Sequence, residues 1–238
     1  GFAVAIHILV AEDDPDINRL LVRILEKEGY EVTPAFSGSE ARLLLKAAKF
    51  DLLVLDLMLP GATGEELIAE VRKEHTTPIL VVSAKGQEGK PHVLKLGADD
   101  FITKPFDVNE VAVRVYTLLR RSRDFAESGE ARSNISFKKL EMDEEGREVT
   151  VCGKPLALTA REYDILALLL RYPNKVFTRQ NLFETVWGGV YLGDDNTINV
   201  HISNLRAKIQ KLDPEEEYIT TVWGVGFKAA KPRTGGRA

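Results

Sequence analysis

The chain has 238 residues, a formal net charge of −4 and a single cysteine. That length allows one or two domains, each large enough to bury a core. Cys152 has no second cysteine to pair with, so a reducing, cytoplasmic setting is expected. No apolar run approaches the roughly 20 residues of a membrane span. The first six residues are too short for a signal peptide and lack a basic start, and the first few read as a cloning remnant or a frayed lead-in to the first strand. The first 122 residues carry the whole net charge and the rest are neutral overall. Bulk charge therefore does not advertise a nucleic-acid binder, and only a local basic surface would support one.

In chain order, Ile6–Ala11 reads as a buried strand that ends in Glu12, Asp13 and Asp14. Pro15 suits the first turn of a helix. Ile17, Leu20, Leu21, Ile24 and Leu25 then recur at helical spacing up to Gly29. A short strand is expected over Glu31–Ala35 and a helix from Ser37 through Lys49. The run Phe50–Asp56 is a third strand ending in a carboxylate, followed by the turn residues Pro60 and Gly61. A helix over Gly64–His75 leads to a strand over Pro78–Val82 that ends at Ser83. Gly86, Gly89 and Pro91 disfavour helix before residue 91, so a short and mobile fourth helix is expected there. A fifth strand over Asp99–Thr103 ends at Lys104, and Asp107 caps a last helix through Arg121.

Strands alternating with helices imply a doubly wound α/β fold, a five-stranded parallel sheet with helices on both faces. Ligands of such sheets bind at the carboxyl ends of the strands. Four strands deliver Glu12, Asp13, Asp56, Ser83 and Lys104 to that one edge. Three clustered carboxylates repel one another, and a hard divalent cation, Mg²⁺ or Mn²⁺, relieves that repulsion. A divalent cation, a nucleophilic carboxylate, a hydroxyl and a lysine together suit phosphoryl transfer through an acyl phosphate. An aspartyl phosphate also occurs in phosphatases and ATPases, but no glycine loop of the Walker type is present, so an enzyme is the lesser reading. A site that no longer accepts a phosphoryl group is the other alternative, and the intact acidic pair, Asp56 and Lys104 argue against it.

The segments Ile8–Asp14, Asp56–Gly61, Val82–Ala84 and Leu96–Phe106 together resemble the receiver domains of two-component response regulators, over residues 5–122. The resemblance implies a flavodoxin-like receiver. It implies that Asp56 is the phosphoacceptor, with Glu12, Asp13, Asp56 and the backbone carbonyl of Met58 around Mg²⁺. Ser83 and Lys104 would contact the phosphoryl group, and Lys104–Pro105 would be a cis bond. Phe101 stands where the family has a rotating aromatic, often tyrosine, so a switch here would work by ring packing alone. The family dimerises through the face of its fourth helix, fifth strand and fifth helix. That makes Lys90, Asp99, Asp100, Glu110, Arg114 and Arg121 the dimer-face residues expected here, while Lys95 and Tyr116 depart from the usual charges.

Residues 123–134 are polar and small, with no sustained apolar period, and are expected to link two domains. Four short strands follow, over Ile135–Phe137, Leu140–Met142, Glu148–Val151 and Pro155–Leu158. Thr159 and Glu162 form a capping box for a helix burying Tyr163, Ile165, Leu166, Leu169 and Leu170. Thr178 to Asn181 caps another helix. Asn196 and Thr197 open a third, whose apolar stripe is Ile198, Ile202, Leu205 and Ile209. Tyr218–Lys228 reads as a glycine-centred hairpin. Helix, helix, basic helix and hairpin describe the α+β winged helix-turn-helix. Seven Lys and Arg lie beyond residue 195 (Arg206, Lys208, Lys211, Lys228, Lys231, Arg233 and Arg237), with the acids gathered in one turn, as phosphate contact requires.

Leu158–Thr159, Glu162, Val186–Gly188, Thr197, Val200–Ile202, Leu205–Arg206 and Thr221–Phe227 resemble the DNA-binding effector domains of the OmpR/PhoB class, over residues 135–230, with the domain itself expected to run to 231. The resemblance implies a phosphorylation-dependent transcriptional regulator and not an enzyme. A sensor histidine kinase, promoter DNA, a second copy of the chain and RNA polymerase are its implied partners. The DNA-binding positions are Asn196, Thr197, Val200, His201, Ser203, Asn204, Arg206, Lys208, Thr221, Trp223 and Lys228. Where the family commonly has arginine, this chain has Asn196, Ser203, Asn204 and Trp223. On this reading Asn204 reads adenine and Arg206 supplies a sequence-independent contact.

Overall fold

The computed structural model describes residues 4–127, 134–193 and 195–231. The chain divides into two compact units. The first unit runs β1 (His7–Ala11), α1 (Pro15–Lys27), β2 (Glu31–Ala35), α2 (Gly38–Ala47), β3 (Leu52–Leu55), α3 (Gly64–Arg72), β4 (Ile79–Ser83), α4 (Gly86–Leu96), β5 (Asp100–Thr103) and α5 (Val108–Glu127). The strands form one parallel sheet in the order β2-β1-β3-β4-β5. Every residue of β3 and β4 is buried, because these strands lie inside the sheet and are covered on both faces. β2 is an edge strand, which is why it tolerates Pro34. This is the flavodoxin-like topology.

Helix starts follow local chemistry. The Asp14 carboxylate accepts from the backbone N–H of Asp16 and Ile17, and Thr63 with Glu66 forms a full capping box on α3. Two helices differ from expectation at their ends. α4 begins at Gly86, not beyond Pro91. Gly86 enters at φ +69°, no side chain caps the helix, and Pro91 lies inside it. The glycine supplies the left-handed entry that other residues resist, so the helix starts where a proline would discourage it. α5 continues to Glu127, into the stretch expected as linker, since no glycine or proline interrupts Ser122–Glu127. Residues 1–3, 128–133, 194 and 232–238, which include Arg233 and Arg237, lie outside the described residues, as does the side chain of Arg121.

The second unit opens with an antiparallel sheet of β6 (Ile135–Phe137), β7 (Leu140–Asp143), β8 (Glu148–Val151) and β9 (Lys154–Pro155). The last strand is two residues long, not the four expected. Then come α6 (Ala160–Arg171), β10 (Phe177–Thr178), α7 (Arg179–Trp187), α8 (Asp195–Leu212), β11 (Ile219–Val222) and β12 (Gly226–Ala229). The Thr159–Glu162 capping box is present on α6. The stripe Ile198, Ile202, Leu205 and Ile209 is buried along α8, each side chain contributing about 1.5–3 kcal/mol of transfer free energy. A second sheet pairs β10, β12 and β11, making β11 and β12 the wing hairpin. A Cβ on Gly226 would lie 1.9 Å from the Phe177 carbonyl oxygen, so this wing position admits only glycine.

Candidate functional sites

The first site is assembled by strand register. Ala11 pairs with Leu55, and Ser83 pairs with Thr103. The residues that follow therefore emerge side by side at the carboxyl edge. The Asp56 N–H donates to the Ala11 carbonyl at 2.9 Å, and the Lys104 N–H donates to the Ser83 carbonyl at 2.9 Å. Lys104 Nζ donates to Asp56 Oδ2 at 2.8 Å and also reaches Glu12 Oε1. The Lys104–Pro105 bond is cis. Close by, a Cβ on Gly64 would lie 2.5 Å from the Asp56 carbonyl, so α3 approaches the site on a bare backbone.

Glu12, Asp13 and Asp56 each offer an oxygen, and these oxygens lie within 4.8 Å of one another. Glu12 and Asp56 are buried, whereas Asp13 is exposed. Burial pushes the Glu12 carboxyl up to about 7; hydrogen bonds from Lys104 and Asp14 pull it down and the Asp56 charge pushes it up again. Burial works against the Lys104 charge too, but its hydrogen bonds to Asp56 and Glu12 outweigh that, and the ammonium is held above its ordinary range. One lysine thus only partly compensates the acidic pocket. An all-oxygen donor set of this charge fits a hard divalent cation.

The remaining expected residues of this unit fall into distinct settings. Ser83 is fully buried, and its hydroxyl accepts from the Lys85 N–H at 3.3 Å. Phe101 is buried, and the Met58 side chain is exposed while its N–H donates to Asp56 Oδ1 at 3.2 Å. Glu110 and Arg114 lie 3.5 Å apart, and Arg114 is 3.7 Å from Asp100. Lys90 is half-buried at the start of α4. Two of these correct the expectation: Asp100 is 2 % exposed and is no open surface charge, and Asp99 goes further. It is wholly buried, accepting from Arg72 Nη2 at 3.0 Å and from the Ile79 N–H at 2.9 Å. Arg72 also donates to the carbonyls of Gly97 and Thr77. Asp99 therefore ties α3 to the sheet from inside and offers no charge to a partner.

Sequence reasoning missed Asn18. It lies buried on α1, and its Nδ2 donates to the carbonyls of Glu12 and Ala35 at 3.0 Å each, fixing the turn that carries the acidic pair. The available signal was an amide three residues before Leu21 and seven before Leu25, on the apolar face.

The second site is the surface of α8 and the wing. Its exposed face carries Asn196, Asn199, Ser203, Ala207 and Gln210, with Val200 and Asn204 half-buried. Trp223 is 90 % exposed at the hairpin tip. Lys228 and Thr221 are half-buried on the wing strands. Four expected DNA contacts are turned inward. Thr197 and His201 are buried, because they lie beside the apolar stripe of α8. Arg206 donates to the Ile219 carbonyl and the Thr221 hydroxyl, at 2.9 and 2.8 Å through Nη2. Lys208 donates to the Ala157 carbonyl and pairs with the buried Glu162 carboxylate. Arg179, which sequence reasoning placed only near a helix cap, lies in the groove between α8 and the wing with Asn199, Ser203 and Trp223.

Comparison with known proteins agrees with both units. Residues 8–116 match the response regulator receiver domain model, and residues 153–229 match the model for the C-terminal domain of transcriptional regulatory proteins. The chain is 39 % identical over 226 residues to the transcriptional regulatory protein ResD of Bacillus subtilis, covering 93 % of this chain and 94 % of ResD. It is 39 % identical over 227 residues to the transcriptional regulatory protein SrrA of Staphylococcus aureus, with the same two coverages. The solved structure of a RitR mutant aligns with a TM-score of 0.74 at 26 % identity, covering 96 % of this chain and 100 % of that one. The chain is a response regulator with a receiver and a DNA-binding domain, and belongs to the OmpR/PhoB family of transcriptional regulators. Among the described residues no helix is long and apolar enough to cross a membrane.

Proposed function

We propose that this chain is switched by phosphorylation of Asp56 and, once switched, binds repeated promoter sites as a dimer. The observation that carries the reading is the pairing of Lys104 Nζ with Asp56 Oδ2 at 2.8 Å beside the Glu12–Asp13 pair. A sensor histidine kinase presents a phosphohistidine. An Asp56 carboxylate oxygen forms the new bond to phosphorus, the N–P bond breaks, and the imidazole leaves with the electron pair. Lys104 keeps its proton and balances the phosphoryl oxygens, and the Ser83 hydroxyl turns to donate to one of them. Glu12, Asp13, Asp56 and the Met58 carbonyl would hold Mg²⁺, which supplies charge neutralisation of the phosphoryl group when bound.

Movement of Ser83 repacks Phe101, one strand over, and biases the surface of α4, β5 and α5. Lys90, Glu110 and Arg114 are the described charges of that surface available for a symmetric pair, with Arg121 proposed beside them; the buried Asp99 and Asp100 are not among them. A dimer brings two winged helices to two half-sites about one helical turn apart. Tethering raises the effective concentration for the second half-site and so couples phosphorylation to promoter occupancy.

The test is intact mass after incubation with acetyl phosphate and Mg²⁺. One added phosphoryl group, absent from Asp56→Ala, is the expected outcome. An equal gain on the variant would place the phosphoacceptor elsewhere.

A further inference from the structure

The exposed face of α8 carries no arginine or lysine from Asn196 to Gln210. Its two inner cations, Arg206 and Lys208, are occupied by Ile219, Thr221, Ala157 and Glu162. What the helix offers outward are amides and one hydroxyl. Of the exposed amides Asn196, Asn199 and Gln210, Asn199 is the one whose orientation a hydrogen bond fixes. Arg179 Nε donates to Asn199 Oδ1 at 2.8 Å. An arginine nitrogen is only a donor, so the amide oxygen must face it and the amide NH₂ must face away. Arg179 is itself held: its guanidinium carbon lies 5.0 Å from the centroid of the Phe227 ring, which is buried in the wing. Among the described residues the two terminal nitrogens of Arg179 have no hydrogen-bond partner.

We propose that Asn199, oriented by Arg179, reads an adenine in the major groove, and that Arg179 takes an adjacent phosphate through its terminal nitrogens. The inference rests on the DNA-binding reading and names the base contact within it. The first half of a recognition helix reaches base edges, and Asn199 is the fifth residue of α8. Adenine presents N7 as an acceptor beside its N6 amino donor. A fixed amide meets both, its NH₂ donating to N7 and the second lone pair of Oδ1 accepting from N6. Guanine presents two acceptors there and leaves the amide oxygen unmatched. A planar guanidinium stacked on a ring and bound through Nε keeps a two-pronged edge for a phosphate, which a lysine could not reproduce. Arg179 is thus a positioning residue for Asn199 as well as an anion contact.

The experiment is selection from a randomised duplex library with the full chain, treated with acetyl phosphate and Mg²⁺. Wild type, Asn199→Ala, Asn199→Asp and Arg179→Lys are compared, each first checked for an unchanged thermal unfolding curve. Wild type should enrich an adenine at one fixed position of each half-site, with other bases there weakening binding by roughly ten- to a hundred-fold. Asn199→Ala should level that position and leave the others intact. Asn199→Asp should move it to cytosine, whose N4 amino group donates to a carboxylate. Arg179→Lys should flatten the same position while affinity for scrambled duplex stays within about threefold, because the charge is kept. A merely structural role for either residue would instead lower all positions together. If wild type selects a sequence and both Asn199 variants select the same one, the assignment of Asn199 is overturned and DNA binding stands. If wild type binds no duplex even at low salt, the DNA-binding reading falls and takes this one with it.

Discussion

The two units use their paired cations to opposite ends. In the receiver, Lys104 is drawn over the acidic pocket and points its ammonium at the carboxylate proposed to react. In the effector unit, Arg206 and Lys208 sit on the helix expected to meet DNA, yet both turn inward. The difference shows what a positive charge in a sequence motif is worth as evidence. At a strand end the backbone fixes the exit direction, so a lysine after β5 reaches a site on that edge. On a helix, residues only one or two positions apart face quite different surroundings, so the neighbours of each decide whether it meets solvent or the fold. Arg206 and Lys208 hold α8 against the wing and against α6, and the reading face is left to neutral amides.

Four substitutions would break or sharpen that contrast. The largest effect is expected at Asp99→Ala, which strands a nearly buried Arg72. Urea unfolding of the receiver should show a loss of about 3–5 kcal/mol. A loss below about 1 kcal/mol with abolished dimerisation would return Asp99 to the dimer face. Next, Lys104→Met should slow phosphoryl uptake from acetyl phosphate by about a hundred-fold, as removal of a positioned charge stabiliser does. A time course of intact mass reads this directly, and an unchanged rate would mean the ammonium does not face the reacting group.

Arg206→Ala comes third, costing about 1–2 kcal/mol of effector stability through the orphaned Ile219 carbonyl and Thr221 hydroxyl. Its informative readout is the salt dependence of DNA affinity. The slope of log affinity against log salt should be unchanged, whereas a phosphate-contacting arginine would lower it by about one. The smallest effect is Thr159→Ala, which removes the cap of α6 and should cost about 1 kcal/mol by thermal or urea unfolding. Thr159→Ser should restore most of it.

The receiver site was largely legible in the sequence because period-two and period-3.6 patterns identify strands and helices, and parallel topology sends every strand end to one edge. Glu12, Asp56, Ser83 and Lys104 needed no side-chain detail to be placed together. Asn18 was missed because a buried amide on an apolar face looks like a flaw in the pattern until its two carbonyl partners are seen. Asp99 was misplaced because a carboxylate beside Asp100 at a strand start reads as surface charge, and only the fold brings Arg72 to it from 27 residues away. The start of α4 was misjudged because glycine and proline content speaks against helix in general, while the left-handed entry at Gly86 is particular to this turn.

By itself, the sequence determined the two domain types, the order of their elements, the apolar stripe of α8 and the acidic edge of the sheet. These follow from periodicity and local backbone preference, which act between residues close in the chain. Only the tertiary structure decided which polar side chains of α8 face outward, that Asp99 is an interior tie, and that Arg179 orients Asn199 across 20 residues. Those choices depend on which partner each charged or amide group finds once distant elements pack, because burying such a group without a partner costs more than almost any local preference can offset.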